Sequence, residues 1–262
     1  MSRYEKEVTE VITYIHHHLD EPLTLPLLAR LAGYSPYHFT RIFKKQMGLS
    51  PLYYISSLRI ERAKKLLLET DFTVRDIGLE IGQQSLGTFT TQFTKRVGVS
   101  PATFRKSSQL ADGYFKSLQQ LKQWDMQNLL SQPTNQVKGT LKATHPFKGL
   151  VLIGLFPKPI PEGLPLYGTL LSQLENFCFQ NVQPGTYYLF ATSVAWEMQI
   201  EDFLLPNHTL RYRPVEAIIV EDNQSIPHQE VILRPPQVDD PPILISIPLL
   251  MKNFLSGPYA LM

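Results

Sequence analysis

The chain has 262 residues, 43% of them hydrophobic and 18% charged, with a net charge of +2 and one cysteine, Cys178. That length argues for two domains, and the apolar content excludes wholesale disorder. A single cysteine excludes an intrachain disulfide framework and a Cys-cluster zinc site.

Charge and proline are unevenly spread. Residues 1–106 hold 15 Lys and Arg against 10 Asp and Glu, a balance of +5, and 5 of the 21 prolines; residues 107–262 carry −3 and the other 16 prolines. A basic, proline-poor front and an acidic, proline-rich back suggest a helical binder of polyanions joined to a second module. The longest apolar stretches, Gly149–Phe156 and Ile243–Leu250, fall far short of the roughly 18 residues needed to span a bilayer. Met1 to Glu7 hold no apolar core of the secretory kind. The expectation is a cytoplasmic protein without a membrane partner.

In chain order, Val8, Ile12, Ile15 and Leu19 form one face of a first helix ending before Asp20. A run from Pro51 to Glu69 places Leu52, Ile55, Leu58, Ala63, Leu66 and Leu67 at similar spacing. Three pairs, Ser35-Pro36, Ser50-Pro51 and Ser100-Pro101, set a capping hydroxyl before a proline suited to a helix's first position. Thr73 and Asp76 have the spacing of a capping box. The first hundred residues read as about seven short helices.

This half also repeats itself. Thr24, Leu25, Leu28, Ala29, Ala32 and Gly33 recur 49 residues later as Thr73, Val74, Ile77, Gly78, Ile81 and Gly82. After one extra residue, Ser35, Phe39, Thr40, Phe43, Gly48, Ser50 and Pro51 recur 50 residues later as Ser85, Phe89, Thr90, Phe93, Gly98, Ser100 and Pro101. A helix with a small residue at its fourth position, a glycine turn and a second helix make the helix-turn-helix pattern. A large side chain at Ala29 or Gly78 would push the two crossing helices apart. Two such units stand in tandem, joined by an amphipathic helix.

On these residues the front of the chain resembles the AraC/XylS transcription regulators, which carry two helix-turn-helix units bridged by a long helix. The resemblance spans about residues 5–106. It rests on Leu28 to Ser35, Phe39 to Lys45, Gly48 to Pro51, Arg59 to Ala63 and Phe93 to Arg105. One departure is Gln83, where an aromatic is usual after the second glycine, so the turn there is expected to pack less tightly.

In such units the second helix lies in the major groove, with outward side chains on base edges and flanking groups on phosphates. The first recognition helix would be Pro36–Gln46, burying Phe39, Ile42 and Phe43 and presenting Tyr37, Thr40 and Arg41. Tyr37 suits a thymine methyl or a phosphate. Arg41 suits either guanine O6 and N7 or a phosphate. The second would be Leu86–Val97, burying Phe89 and Phe93 and presenting Gly87, Thr88, Thr91 and Gln92, with Gln92 the candidate for adenine. Phosphate contacts fall to Lys44, Lys45, Arg59, Lys95, Arg96 and Arg105, and to helix N-terminal amides.

Beyond Lys106 the sequence turns polar and glutamine-rich. It reads as a linker over 107–135 with a short helix at Tyr114–Leu130. From about 136 the texture is β: apolar runs at Val137–Leu141, Leu150–Phe156, Tyr167–Leu171, Phe177–Val182, Tyr187–Val194, Val215–Val220, Val231–Leu233 and Ile243–Leu250 are separated by Pro and Gly turns. That spacing predicts an antiparallel two-layer sandwich. The Val182 to Leu189 stretch resembles prealbumin-like domains, in which a Pro-Gly turn leads into an aromatic strand. Some AraC-like regulators join a leading DNA-binding half to a sandwich opening in a stretch like Gly154–Pro161. The fold class expected is multidomain: an all-α tandem helix-turn-helix domain of homeodomain-like units over 1–106, then an all-β prealbumin-like sandwich over 136–262.

No nucleophile elbow, phosphate loop or metal-ligand spacing occurs, and neither catalytic residues nor cofactors are expected. His16, His17 and His18 point about 100° apart on a helix and cannot chelate one ion together. Cys178 reads as a small buried hydrophobe, and Asp239-Asp240 as a turn. The reading is a non-enzymatic, sequence-specific regulator with double-stranded DNA as partner. Its sandwich would bind a small-molecule effector or a second copy of the chain. A DNA-localised enzyme or carrier, and an architectural DNA binder without sequence choice, stay open.

Overall fold

The computed structural model describes residues 3–83, 85–120, 135–172, 174–214, 216–222 and 224–256. Its helical part runs α1 (Arg3–His17), α2 (Leu25–Leu31), α3 (Pro36–Met47), α4 (Pro51–Glu69), α5 (Val74–Glu80), α6 (Leu86–Val97) and α7 (Pro101–Gln120). Local chemistry sets most of these starts. Ser35, Ser50, Ser85 and Ser100 each accept, on the side-chain oxygen, the N–H three residues on, from His38, Tyr53, Thr88 and Thr103. Each such cap is worth about 1 kcal/mol. Thr73 and Asp76 form the full reciprocal capping box. Leu52 departs from expectation: it is 51% exposed on the first turn of α4, while Tyr54, Ile55, Leu58, Ile60, Ala63, Leu66 and Leu67 are buried.

The chain divides into two compact units, Met1–Arg105 with Gln237–Leu244, and Lys106–Pro236 with Ile245–Met262. Two expectations need correction. Residues 107–120 are no linker: α7 continues unbroken from Pro101, and Ala111 and Phe115 are buried in the second unit. Phe115 packs there against Trp196 and Phe203, with ring centroids 6.1 and 5.5 Å away. The remainder of the expected helix, 121–130, lies outside the described residues. Residues 237–244, assigned above to the sandwich, belong instead to the helical unit.

The second unit holds β1 (Val137–Ala143), β2 (Gly149–Phe156), β3 (Tyr167–Leu171), β4 (Asn176–Phe179), β5 (Gly185–Ala195), α8 (Ile200–Leu204), β6 (Arg211–Tyr212), β7 (Ile218–Val220), β8 (Gln229–Leu233) and α9 (Ile247–Ser256). One sheet has the order β4-β1-β8, the other β3-β2-β5-β6, and β7 also pairs with β5. Their facing sides share a core of Val137, Leu141, Val151, Ile153, Leu155, Phe177, Phe179, Tyr187, Leu189, Val231 and Leu233.

This unit also differs from the expected antiparallel two-layer arrangement. β1 and β8 pair in parallel, Gly139 opposite Gln229 through Ala143 opposite Leu233. Leu150, Leu152, Phe156, Phe190 and Val194, on the alternate positions of β2 and β5, are buried too, so this sheet is covered on both faces. Nor does Ile243–Leu250 form a strand. Pro241 and Pro242 withhold backbone donors before it, and α9 begins at Ile247.

Candidate nucleic-acid interface

The tandem repeat survives into three dimensions at the level of single bonds. In the first unit Gly33 N donates to Arg30 O and Tyr34 N to Ala29 O, at 3.0 and 2.8 Å. In the second, Gly82 N donates to Leu79 O and Gln83 N to Gly78 O, at 2.9 and 2.8 Å. Gly33 and Gly82 sit at φ +72° and +76°, the left-handed region this turn requires. The helices cross closely: Ala29 is buried, and a Cβ at Gly78 would lie 3.3 Å from Phe89 Cδ1. Behind α3 and α6 stand equivalent ring triplets. Phe39, Phe43 and Tyr54 pack tilted or edge-on in series at 5.6 and 5.8 Å, and Phe89, Phe93 and Phe104 edge-on at 5.7 and 5.8 Å. Tyr54 and Phe104 extend the 50-residue offset, a match the sequence pattern alone did not single out.

The buried rings determine what faces outward. On α3, Tyr37 is 82% exposed, Arg41 is exposed and Thr40 is half-buried. The Thr40 hydroxyl donates to Pro36 O at 2.8 Å, which leaves its methyl and oxygen lone pairs for a ligand. On α6, Gly87, Thr88 and Thr91 are exposed and Gln92 is half-buried. This second face is small and uncharged.

One residue absent from the sequence-based set lies inside this array. His38 is half-buried, its ring edge-on to Tyr34 at 4.9 Å, and Arg41 Nη2 donates to its Nδ1 at 3.4 Å. The Tyr34 hydroxyl in turn donates to Glu7 on α1. The available signal was the three-residue spacing between His38 and Arg41, which places both on one helix face. In the second unit Gln83 stands where Tyr34 stands in the first. There a hollow of about 300 Å³ opens between Arg75, Gly78, Leu79, Gln83 and Leu86.

The six expected phosphate ligands split by residue type. Lys44, Lys45 and Lys95 are exposed in the last turns of α3 and α6. The three arginines turn inward, onto groups of the chain itself. Arg59 donates to Leu19 O and Glu21 O at 3.4 and 3.0 Å, and burial lowers its pKa. Arg96 is only 8% exposed, with its Nη1 3.3 Å from Ser57 Oγ and its guanidinium 4.3 Å over the Tyr53 ring. Arg105 donates to Leu67 O at 3.1 Å and to Phe72 O at 2.5 Å. A planar fork with five donors can satisfy several carbonyls near a helix end at once, as Arg59 and Arg105 do, which an ammonium cannot do with the same geometry.

The segment 237–244 runs along α4. Lys64, fully buried, donates from Nζ to Ile243 O at 3.0 Å and lies 5.5 Å from the Phe104 ring centroid; burial pushes its pKa down to about 8. Tyr54 Oη reaches Val238 O at 3.5 Å and lies 3.1 Å from His16 Nε2. Asp240 accepts the Gln237 N–H at 2.8 Å, closing the turn expected at Asp239-Asp240. The three histidines diverge: His16 meets Tyr54, His17 the Thr13 carbonyl oxygen, and His18 Glu21. Cys178 is half-buried on β4, and burial pushes its thiol pKa up, away from the thiolate.

A family profile described as a helix-turn-helix domain matches residues 28–107. The uncharacterized HTH-type transcriptional regulator YobQ of Bacillus subtilis is 43% identical over 96 residues, which is 37% of this chain and 40% of that protein. The bifunctional transcriptional activator/DNA repair enzyme AdaA of Bacillus subtilis is 38% identical over 111 residues, 42% of this chain and 53% of that protein. The chain thus spans about half or less of these two relatives. The probable transcription factor PqrA of Proteus vulgaris is 33% identical over 110 residues, 41% of this chain but 90% of that protein.

Proposed function

The chain belongs to the AraC/XylS family of transcription regulators, and we propose that it is a sequence-specific DNA-binding regulator reading two successive major-groove segments with α3 and α6. The observation that carries this is the duplicated architecture. Two helices with the same cap, the same turn and the same ring triplet behind them present different outward faces. A regulator built so would read one segment with Tyr37, Thr40 and Arg41. The other would fall to Gly87, Thr88, Thr91 and Gln92. Lys44, Lys45 and Lys95 would hold phosphates, together with the capped helix N-termini.

The second unit is proposed as a prealbumin-like sandwich that binds a small-molecule effector or a second copy of the chain, without catalysis. Two features support this: the Pro184-Gly185 turn leading into β5, and a core shared between two sheets. The thiol of Cys178 is held away from its reactive form. A regulator acting on DNA would work in the cytoplasm. No described helix is long and apolar enough to cross a membrane.

Selection of bound duplexes from a random pool tests the main reading. A recovered consensus, bound at least about a thousandfold more tightly than random duplex, is the expected outcome. Equal affinity for both at matched salt would instead make the protein an architectural binder.

A further inference from the structure

We propose that His38 is a positioning residue for DNA readout: its Nδ1 holds the Arg41 guanidinium in the pose that meets a base edge. This rests on the reading of α3 as a recognition helix. Arg41 has only donors, so in the 3.4 Å contact His38 Nδ1 is the acceptor. The imidazole is itself held. Tyr34 packs edge-on against it at 4.9 Å, and the Tyr34 hydroxyl is tied to Glu7 on α1. A series of side chains thus runs from the first helix through the turn to the reading arginine. An exposed arginine without such support samples many rotamers and loses that freedom on binding, whereas one already oriented loses less.

The second helix-turn-helix keeps none of Tyr34, His38 and Arg41. By the repeat, Gln83 replaces Tyr34, Thr88 replaces His38 and Thr91 replaces Arg41. The device therefore belongs to the first helix-turn-helix alone and is not a by-product of that fold.

The test uses the full chain and compares binding to its selected duplex, to the same duplex changed at the base pair read by Arg41, and to random duplex. His38→Phe keeps a ring beside Tyr34 and removes the acceptor; His38→Asn returns an acceptor near the place of Nδ1. His38→Phe should lower discrimination at that base pair about tenfold, with random-duplex affinity and salt slope unchanged. His38→Asn should restore most of it. In an Arg41→Ala background His38→Phe should have no further effect.

The inference is overturned if His38→Phe leaves discrimination intact, if His38→Asn fails to restore it, or if the loss persists without Arg41. An equal loss on all duplexes, which would make His38 a phosphate contact or a structural residue, also overturns it. The underlying reading fails separately and visibly, when Arg41→Ala itself leaves discrimination at every base pair unchanged.

Discussion

Lys64 shows how far a residue's role can depart from its charge. It lies in the basic half of the chain, yet its ammonium is fully buried beside Phe104 and under Ile243. Its pKa falls from 10.5 to about 8, so the unfolded chain binds this proton more tightly than the folded one. Stability linked to this group is therefore flat below pH 8 and rises between about pH 8 and 10.5. The rise is on the order of 3 kcal/mol at most. Thermal melts of wild type and Lys64→Met at pH 7 and pH 10 should differ in slope, the variant lacking this gain; parallel slopes would refute it. On the candidate DNA face, Arg41→Ala should cost about 1–3 kcal/mol at the preferred site and relax one base position. Lys45→Ala should weaken all duplexes alike and reduce the salt slope by about 1. Competition binding against single-base variants separates the two, and identical losses on every sequence would demote Arg41 to a phosphate contact.

At the scale of elements, helix starts were legible because Ser-Pro and Thr-x-x-Asp encode them within four residues. The helix crossing was legible too, since Ala29 and Gly78 leave room for a close approach. Adding a methyl at Gly78 meets Phe89 at 3.3 Å, a contact a small shift relieves. Gly78→Ala should change stability by less than about 1 kcal/mol. Gly78→Leu should cost about 1–3 kcal/mol by overpacking the α5–α6 crossing, read by denaturant unfolding of the full chain. The segment 237–244 was not legible, because the apolar run Ile243–Leu250 reads as one more strand of the back half and no short-range signal ties its start to α4. Leu244 is fully buried there, and Leu244→Ala should destabilise by about 2–5 kcal/mol. Unchanged unfolding would show that the segment contributes nothing to the core.

For the whole molecule, the helical unit comprises Met1–Arg105 and Gln237–Leu244. A fragment of residues 1–106 lacks the Ile243 carbonyl that Lys64 meets and the Val238 carbonyl that Tyr54 meets. It should bind DNA with steep salt dependence where it is folded, but melt below the full chain's helical transition. A folded fragment without salt-dependent DNA affinity would defeat the central reading. Measured masses of the fragment and the full chain locate assembly: the expectation is a monomeric fragment, with any dimer confined to the full chain. A dimer that persists in the fragment would remove that role from the second unit.

Sequence by itself determined what is local or repeated. The two helix-turn-helix units, their caps, their buried Phe pairs and the outward side chains of α3 and α6 follow from short-range spacing. The strong β runs, Tyr167–Leu171 among them, were readable for the same reason. Tertiary structure decided what depends on partners distant in the chain. The parallel pairing of β1 with β8 joins residues about ninety positions apart and leaves no turn signal between them. Whether a basic residue stays in solvent or turns inward depends on what the neighbouring helix presents to it, which is why Lys95 stays exposed while neighbouring Arg96 turns onto Ser57 and the Tyr53 ring of α4. The same holds for Lys64, whose burial depends on a backbone carbonyl 179 residues away.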